Sequence, residues 1–304
     1  MRVRVATRGS ALARWQADHV VGLLRGADPA MRAEVVVVET SGDRRRDVPI
    51  WELGGKGVFV KEVQAAVLDG RADLAVHSAK DLPSATPAGL VIAAVPARAD
   101  VRDALVGAAL DDLAPGAVVA TGSLRRRAQL AHRRPDLSFA GLRGNMATRI
   151  DRAGHDGVAA VVVAAAALDR LGEAGRIAER LDVAAMVPQV GQAALAVECR
   201  EGDARLRALL AGIEDPPSRR AVDAERGFLS ELGGDCSVPA AAHAAHEGDE
   251  LRVRGIVAAP DGSVLVHHEV AGPATGAVAL GRSLARHLLD VQGGAKLLGR
   301  EPGA

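Results

Sequence analysis

Apolar positions along the chain fall into short runs and helical stripes separated by Gly, Pro and charged residues, and they predict strand, loop and helix in repeating order. At the start Val3 and Val5 alternate with arginines, Arg8-Gly9-Ser10 has turn chemistry, and residues 11–24 have helical character. Residues 34–39 hold four consecutive valines, which predicts a strand buried on both faces, as in a parallel sheet. Residues 41–56 are polar, contain glycines and lack a period, so this segment is expected to be a lid or disordered. The pattern resumes with a helix over 57–68 and strands over 72–77 and 90–95. That is a βαβ beginning.

Charges rise around residues 97–103, and a second α/β series follows: strands over 118–120, 138–142 and 159–163, and helices over 123–133, 145–152 and 165–170. Ser123 is a cap candidate for the first of these helices. Further on, a strand is expected over 195–198, a helix over 204–210, a linker over 212–218, and a helix over 219–231 capped by Ser218. Two strands over 251–257 and 263–270 are joined by a Pro260-Asp261-Gly262 turn, and Ala277, Leu280, Leu284, Leu288 and Val291 form the stripe of a last helix. The expected architecture is α/β: two similar α/β domains facing a cleft, with a small α+β third domain.

Composition narrows the function classes. A chain of 304 residues exceeds the usual single-domain size, so two or three domains are expected. Aromatics make up 2% of residues, so the core must come from Val, Leu and Ala, and platforms for stacking nucleic-acid bases are scarce. Basic and acidic residues balance at 38 each, which argues against a nucleic-acid binder. Four of the basic residues are Lys, leaving 34 Arg. The longest apolar run, residues 158–168, is too short to span a bilayer, and the first residues show no signal-peptide pattern. Two cysteines, Cys199 and Cys236, make a disulfide scaffold or a zinc site unexpected and suggest the cytoplasm.

Polar clusters then mark candidate chemistry. His77-Ser-Ala-Lys-Asp-Leu-Pro83 follows an apolar strand, placing Lys80 and Asp81 at the carboxyl end where open α/β folds bind ligands; the plain alternative is a solvated turn. Thr121-Gly-Ser-Leu-Arg-Arg-Arg127 puts hydroxyls and the guanidinium forks of Arg125 and Arg126 at a helix start, a place suited to an anion. Leu142-Arg-Gly-Asn-Met-Ala-Thr-Arg149, with Arg143 and Arg149, and Arg8-Gly9-Ser10 repeat that arrangement. Each alone reads as solvated surface; three at strand-to-helix junctions favour a convergent anion pocket. Gly54-Gly-Lys-Gly57 lacks the spacing of a nucleotide loop, and Lys56 reads as a lid residue or a plain loop residue. Cys236, in the Gly-rich Gly233-Gly-Asp-Cys-Ser-Val-Pro239, suits a nucleophile or attachment point, whereas Cys199 fits a buried strand. His243, His246, His267 and His268 are expected at the surface.

The stretches ATRGSALARWQA, GGKGVFVKE, HSAKDLP, TGSLRRRAQL, LRGNMATR, VPQVGQAALAVECR and LGGDCSVPAAAHA cover nearly the whole chain, and in this order they resemble the porphobilinogen deaminase (hydroxymethylbilane synthase) family. The resemblance implies three domains, residues 1–98 with 193–213, 99–192, and 214–304, the second inserted into the first. It implies a transferase of porphyrin and heme biosynthesis that joins four porphobilinogen molecules into a linear tetrapyrrole with loss of ammonia, on a dipyrromethane cofactor held as a thioether by Cys236. It further implies that Asp81 and Lys80 are catalytic and also bind the cofactor with Thr121, Ser123, Arg125 and Arg126. Arg8, Ser10, Arg143, Arg149 and Gln192 would bind substrate, and Lys56 and Phe59 would belong to a lid. No metal, nucleic acid or membrane is expected. The enzyme would be a cytoplasmic monomer handing its product to uroporphyrinogen III synthase.

The chain departs from the family's pattern at Gly122, where serine is frequent, at Ala193, where glycine is usual, and at Ala79, often methionine. Two rival readings are a solute receptor, which shares twin α/β domains but has no need of Cys236, and a nucleic-acid binder, which the zero net charge disfavours.

Overall fold

The computed structural model describes residues 1–44, 57–233 and 238–299. They form two compact units, residues 1–99 with 193–219, and residues 100–192 with 220–304. The first unit holds strands β1 (Arg2–Thr7), β2 (Arg32–Val37), β3 (Leu74–Ser78) and β4 (Leu90–Ala94), with β10 (Leu195–Arg200) supplied when the chain returns. Their order is β2-β1-β3-β10-β4: β2, β1 and β3 run parallel, and β10 is antiparallel to both its neighbours.

The second unit holds β5 (Asp103–Val106), β6 (Val118–Ala120), β7 (Ser138–Ala140), β8 (Val158–Ala164) and β9 (Ile177–Arg180) in the order β7-β6-β8-β5-β9. Again three parallel strands are followed by an antiparallel pair, so the two sheets are built alike. The same unit carries an antiparallel meander of β11 (Ala240–Glu247), β12 (Glu250–Ala258) and β13 (Leu265–Pro273). Its core packs against helices Pro216–Glu231 and Ala277–Arg286 through Phe228, Leu232, Leu251, Val253 and Leu284.

Several sequence expectations change. β2 is not buried on both faces: it is the edge of its sheet, paired on one side, and Val37 is half exposed. Helix Pro216–Glu231 begins inside the expected linker, and its first turn is held by the Asp215 carboxylate, which accepts the Ser218 N–H (2.9 Å). Proline suits a first helical turn because its missing N–H has no partner there. Ser218 instead accepts the Arg98 N–H at 2.9 Å. The last helix passes at His287–Val291 into a π turn. The extra residue per turn rotates the apolar stripe, so Leu284 and Leu288 are buried while Val291 is 71% exposed. His243 is half-buried, its Nδ1 3.3 Å from the buried Glu225 carboxylate.

Glycine allows the two helices over the meander to touch by their backbones. A Cβ on Gly281 would overlap the Ala224 carbonyl oxygen, and one on Gly227 would lie 2.5 Å from the Val278 oxygen. Gly281→Ala is therefore expected to destabilise this unit by about 1–3 kcal/mol, as overpacking does. A urea midpoint unchanged from the parent would show that the helices can separate without loss.

Candidate functional site

In the first unit, β1 and β3 are adjacent and parallel, with Val5 opposite Leu74 and Ala6 opposite Ala75. Their carboxyl ends therefore lie on the same edge of the sheet, and the loops that follow them meet. The first loop carries Arg8 and Ser10, and Ser10 caps helix Ala11–Ala27 by accepting the Ala13 N–H at 3.2 Å. The second carries Ser78 and the 3₁₀ turn Ala79–Asp81, in which Lys80 is half-buried and Asp81 exposed. Gln16, on the first helix, ties the two loops together: its amide donates to Ser78 Oγ (2.9 Å), and that hydroxyl donates back to Gln16 Oε1 (3.2 Å).

The result is a pocket lined by Arg8, Ser10, Gln16, Phe59, His77, Ser78 and Asp81, with Leu12, Ala13, Val60 and Val76 as its apolar wall. The Arg8 guanidinium lies over the Phe59 ring, 4.1 Å from its centre. That ring occupies the space a side chain on Gly42 would need. The pocket thus joins a cation, the N-terminus of a long helix and a carboxylate, which suits a ligand bearing both acidic groups and N–H donors.

In the second unit, Thr121 and Ser123 follow β6. Thr121 Oγ1 accepts the Ser123 N–H (3.2 Å), and Ser123 Oγ accepts the Arg126 N–H (3.4 Å) at the start of helix Leu124–Arg133. The loop packs against the one after β7, and a Cβ on Gly122 would stand 2.7 Å from the Leu142 carbonyl oxygen. A serine at 122 would force these loops apart. Arg143 and Arg149 flank the turn after Leu142, and Arg149 Nε donates to the Gly144 carbonyl at 2.8 Å. Ala193, the other departure at a glycine position, adopts φ of 66°, a backbone region that disfavours a side chain.

Arg125 and Arg126 do not present open forks. Both are buried around Asp103, the first residue of β5. Arg125 donates to Asp103 Oδ2 (2.7 Å) and the Val187 carbonyl (2.8 Å); Arg126 donates twice to Asp103 Oδ1 (3.0 and 2.8 Å) and to the Val162 carbonyl (3.0 Å). Gln192, expected at the substrate, is wholly buried and donates to Asp103 Oδ1 (2.9 Å) and the Val101 carbonyl (2.7 Å). Burial pushes the Arg125 guanidinium below its ordinary pKa even with Asp103 beside it. Two guanidiniums around one carboxylate leave one positive charge in excess, and Arg125 Nε is buried without a hydrogen-bond partner.

Thus Arg8, Ser10, Phe59 and Asp81 come together in one unit, and Thr121, Ser123, Arg125, Arg126 and Gln192 in the other. Lys56 and Cys236 lie outside the described residues. Asp103 and Glu198 escaped the sequence reading, although an acidic residue inside an apolar strand is itself a signal of pairing.

Comparison with known proteins bears on this geometry. Residues 3–208 match the family model described as porphobilinogen deaminase, dipyromethane cofactor binding domain, and residues 220–290 match the one described as porphobilinogen deaminase, C-terminal domain. The chain is 46% identical over 299 residues to the porphobilinogen deaminase of Syntrophus aciditrophicus, covering 97% of each chain. It is 48% identical over 291 residues to that of Bordetella parapertussis, covering 95% of this chain and 93% of the relative. Among solved structures, a methionine-binding protein aligns over 70% of this chain and 89% of its own at 12% identity, with a TM-score of 0.43.

Proposed function

The chain belongs to the porphobilinogen deaminase family, and from that membership we propose that Asp81 is its catalytic carboxylate, assisted by Lys80, in the pocket that Arg8 and Ser10 share. It is a hydroxymethylbilane synthase, a transferase of tetrapyrrole biosynthesis that joins porphobilinogen units with loss of ammonia, and dipyrromethane is its cofactor. When bound, the cofactor supplies the nucleophilic pyrrole carbon to which the first substrate is joined. The near full-length identity, together with an exposed carboxylate beside a cation at one sheet edge, carries the reading.

The residues suit an acidic ligand. In the second unit the excess positive charge and the orphaned Arg125 Nε call for an anion. Thr121, Ser123, Arg125 and Arg126 would hold the cofactor's carboxylates, and Arg143, Arg149 and Gln192 would serve substrate, Gln192 by fixing Arg126 through Asp103. In the first unit the Asp81 carboxylate accepts pyrrole N–H bonds and stabilises the positive charge that develops as ammonia leaves. Arg8, steadied by the Phe59 ring, pairs with a substrate carboxylate, while Lys56 and Phe59 belong to the lid.

Two cysteines are candidates for the thioether. Cys199 is buried on β10, and burial pushes its thiol up to about 11, which leaves it inert at neutral pH. The attachment therefore falls to Cys236. Intact-protein mass spectrometry with peptide mapping is expected to find two linked pyrrole units on Cys236 and none on Cys199 in protein from a host that makes porphobilinogen. A bare Cys236 in such protein would overturn the assignment.

Residues 1–98 with 193–213, 99–192 and 214–304 are read as three domains, since each of the three sheets has its own apolar core. The enzyme is further read as a cytoplasmic monomer that passes its product to uroporphyrinogen III synthase. No helix among the described residues is long and apolar enough to cross a membrane.

A further inference from the structure

Beneath the pocket lies a pair of ionisable groups to which no role has been given. His77 lines the pocket from β3 yet is only 6% exposed, and Glu198 on β10 is fully buried. The register sets Ala75 opposite Glu198, so His77, two residues on, shares its face of the sheet. His77 Nε2 lies 3.1 Å from Glu198 Oε2, but off the line of a hydrogen bond, so this buried nitrogen has no hydrogen-bond partner. Gln64, from helix Lys61–Leu68, donates its amide to both Glu198 oxygens at 3.1 and 2.9 Å. The carboxylate is thereby pinned while the imidazole is left one contact short.

A buried polar atom without a partner in a well-packed site calls for a reason, and a catalytic role is one. Proton balance supplies it. In each addition the substrate C–N bond breaks with its electron pair leaving on nitrogen, and a pyrrole carbon forms the new C–C bond from its ring electrons. That carbon's C–H bond then breaks, returns its pair to the ring and releases one proton, and the departing ammonia takes one proton up. Release and uptake occur at different atoms, so a group that stores the proton between them is needed beside Asp81.

We propose that His77, paired by charge with Glu198, is the second proton-holding residue of the Asp81 pocket. Imidazolium beside carboxylate is neutral as a pair, and the same pair without the proton is an anion; such a pair can store one proton close to the reacting atoms. Charged groups around it are Glu198 from β10 and Arg8 and Asp81 on the pocket wall, while the helices contribute the neutral amides of Gln16 and Gln64. The proposal rests on the reading of this pocket as the reaction site.

The test compares His77→Asn, Glu198→Gln and Asp81→Asn in cofactor-loaded enzyme, checked by intact mass and melting temperature. For His77→Asn the expected result is a KM for porphobilinogen within about threefold of the parent, a kcat lowered at least tenfold, and loss of one limb of the pH–kcat profile. Glu198→Gln should shift that limb by a unit or more. A parental kcat and pH profile in folded, loaded His77→Asn would overturn the proposal. Full activity in Asp81→Asn would instead overturn the reading of the pocket. Because a buried pair can be needed for folding, histidine ¹⁵N NMR on the unaltered enzyme gives an independent measure. His77 should titrate with the midpoint of the same limb, and an imidazole silent across the active pH range would also overturn the proposal.

Discussion

Asp81→Asn is expected to lower kcat by about 10²–10⁴-fold, the contribution of a positioned acid–base group, while the enzyme still folds and still carries its cofactor. Asp81 ends a short 3₁₀ turn and is exposed, so replacing it leaves no buried charge without a partner. The amide keeps the size of the carboxylate but loses its charge and basicity. Binding should suffer less than turnover, because the substrate's acidic groups are assigned to arginines. The expected signature is a small change in KM with a large fall in kcat, which marks an interaction made mainly in the transition state. A kcat within threefold of the parent, in protein of unchanged melting temperature, would remove Asp81 from the role proposed for it.

The place of Asp81 at the carboxyl end of β3 was legible because β3 is an apolar strand and the polar residues follow it at once. What the sequence could not reveal is adjacency. Arg8 and Asp81 meet because β1 and β3 are neighbours, and that pairing joins residues about seventy positions apart. β11 was missed because Ala240–Glu247 is mostly alanine, a residue with little strand preference, and only pairing with β12 makes it extended. β5 is four residues long and opens with Asp103, so it lacked any apolar period. The arginines of the second unit were recognised as a cluster but misjudged as open. Their counter-charge lies about twenty residues before them, at the start of β5. The π turn at His287–Val291 left no local mark, and a regular 3.6-residue stripe predicted a buried Val291.

Asp103→Ala is expected to be the most damaging single change to the second unit, at about 3–5 kcal/mol, because removing one partner of a buried ion pair leaves the other charge uncompensated. Here the remainder is two guanidiniums, Arg125 only 2% exposed and Arg126 close to it, with the Gln192 amide deprived of its acceptor. Burial alone would raise the Asp103 carboxyl pKa, but Arg125 and Arg126, with hydrogen bonds from Arg125 and Gln192, hold it well below the usual carboxylate range. A folded-state value below the unfolded one means that the stabilisation is fully present above about pH 4 and is lost as pH falls. The stability gap between parent and variant, read from urea midpoints, should therefore be widest near neutral pH and narrow by up to about 1.4 kcal/mol per pH unit below 4. Asp103→Asn, which keeps the shape and one acceptor, should lose most of the same stability, since the charge dominates. A gap that stays constant from pH 7 to pH 3 would mean that the cavity left by the side chain, rather than its charge, sets the loss. In that case the two arginines would not depend on Asp103 for their place at the helix start.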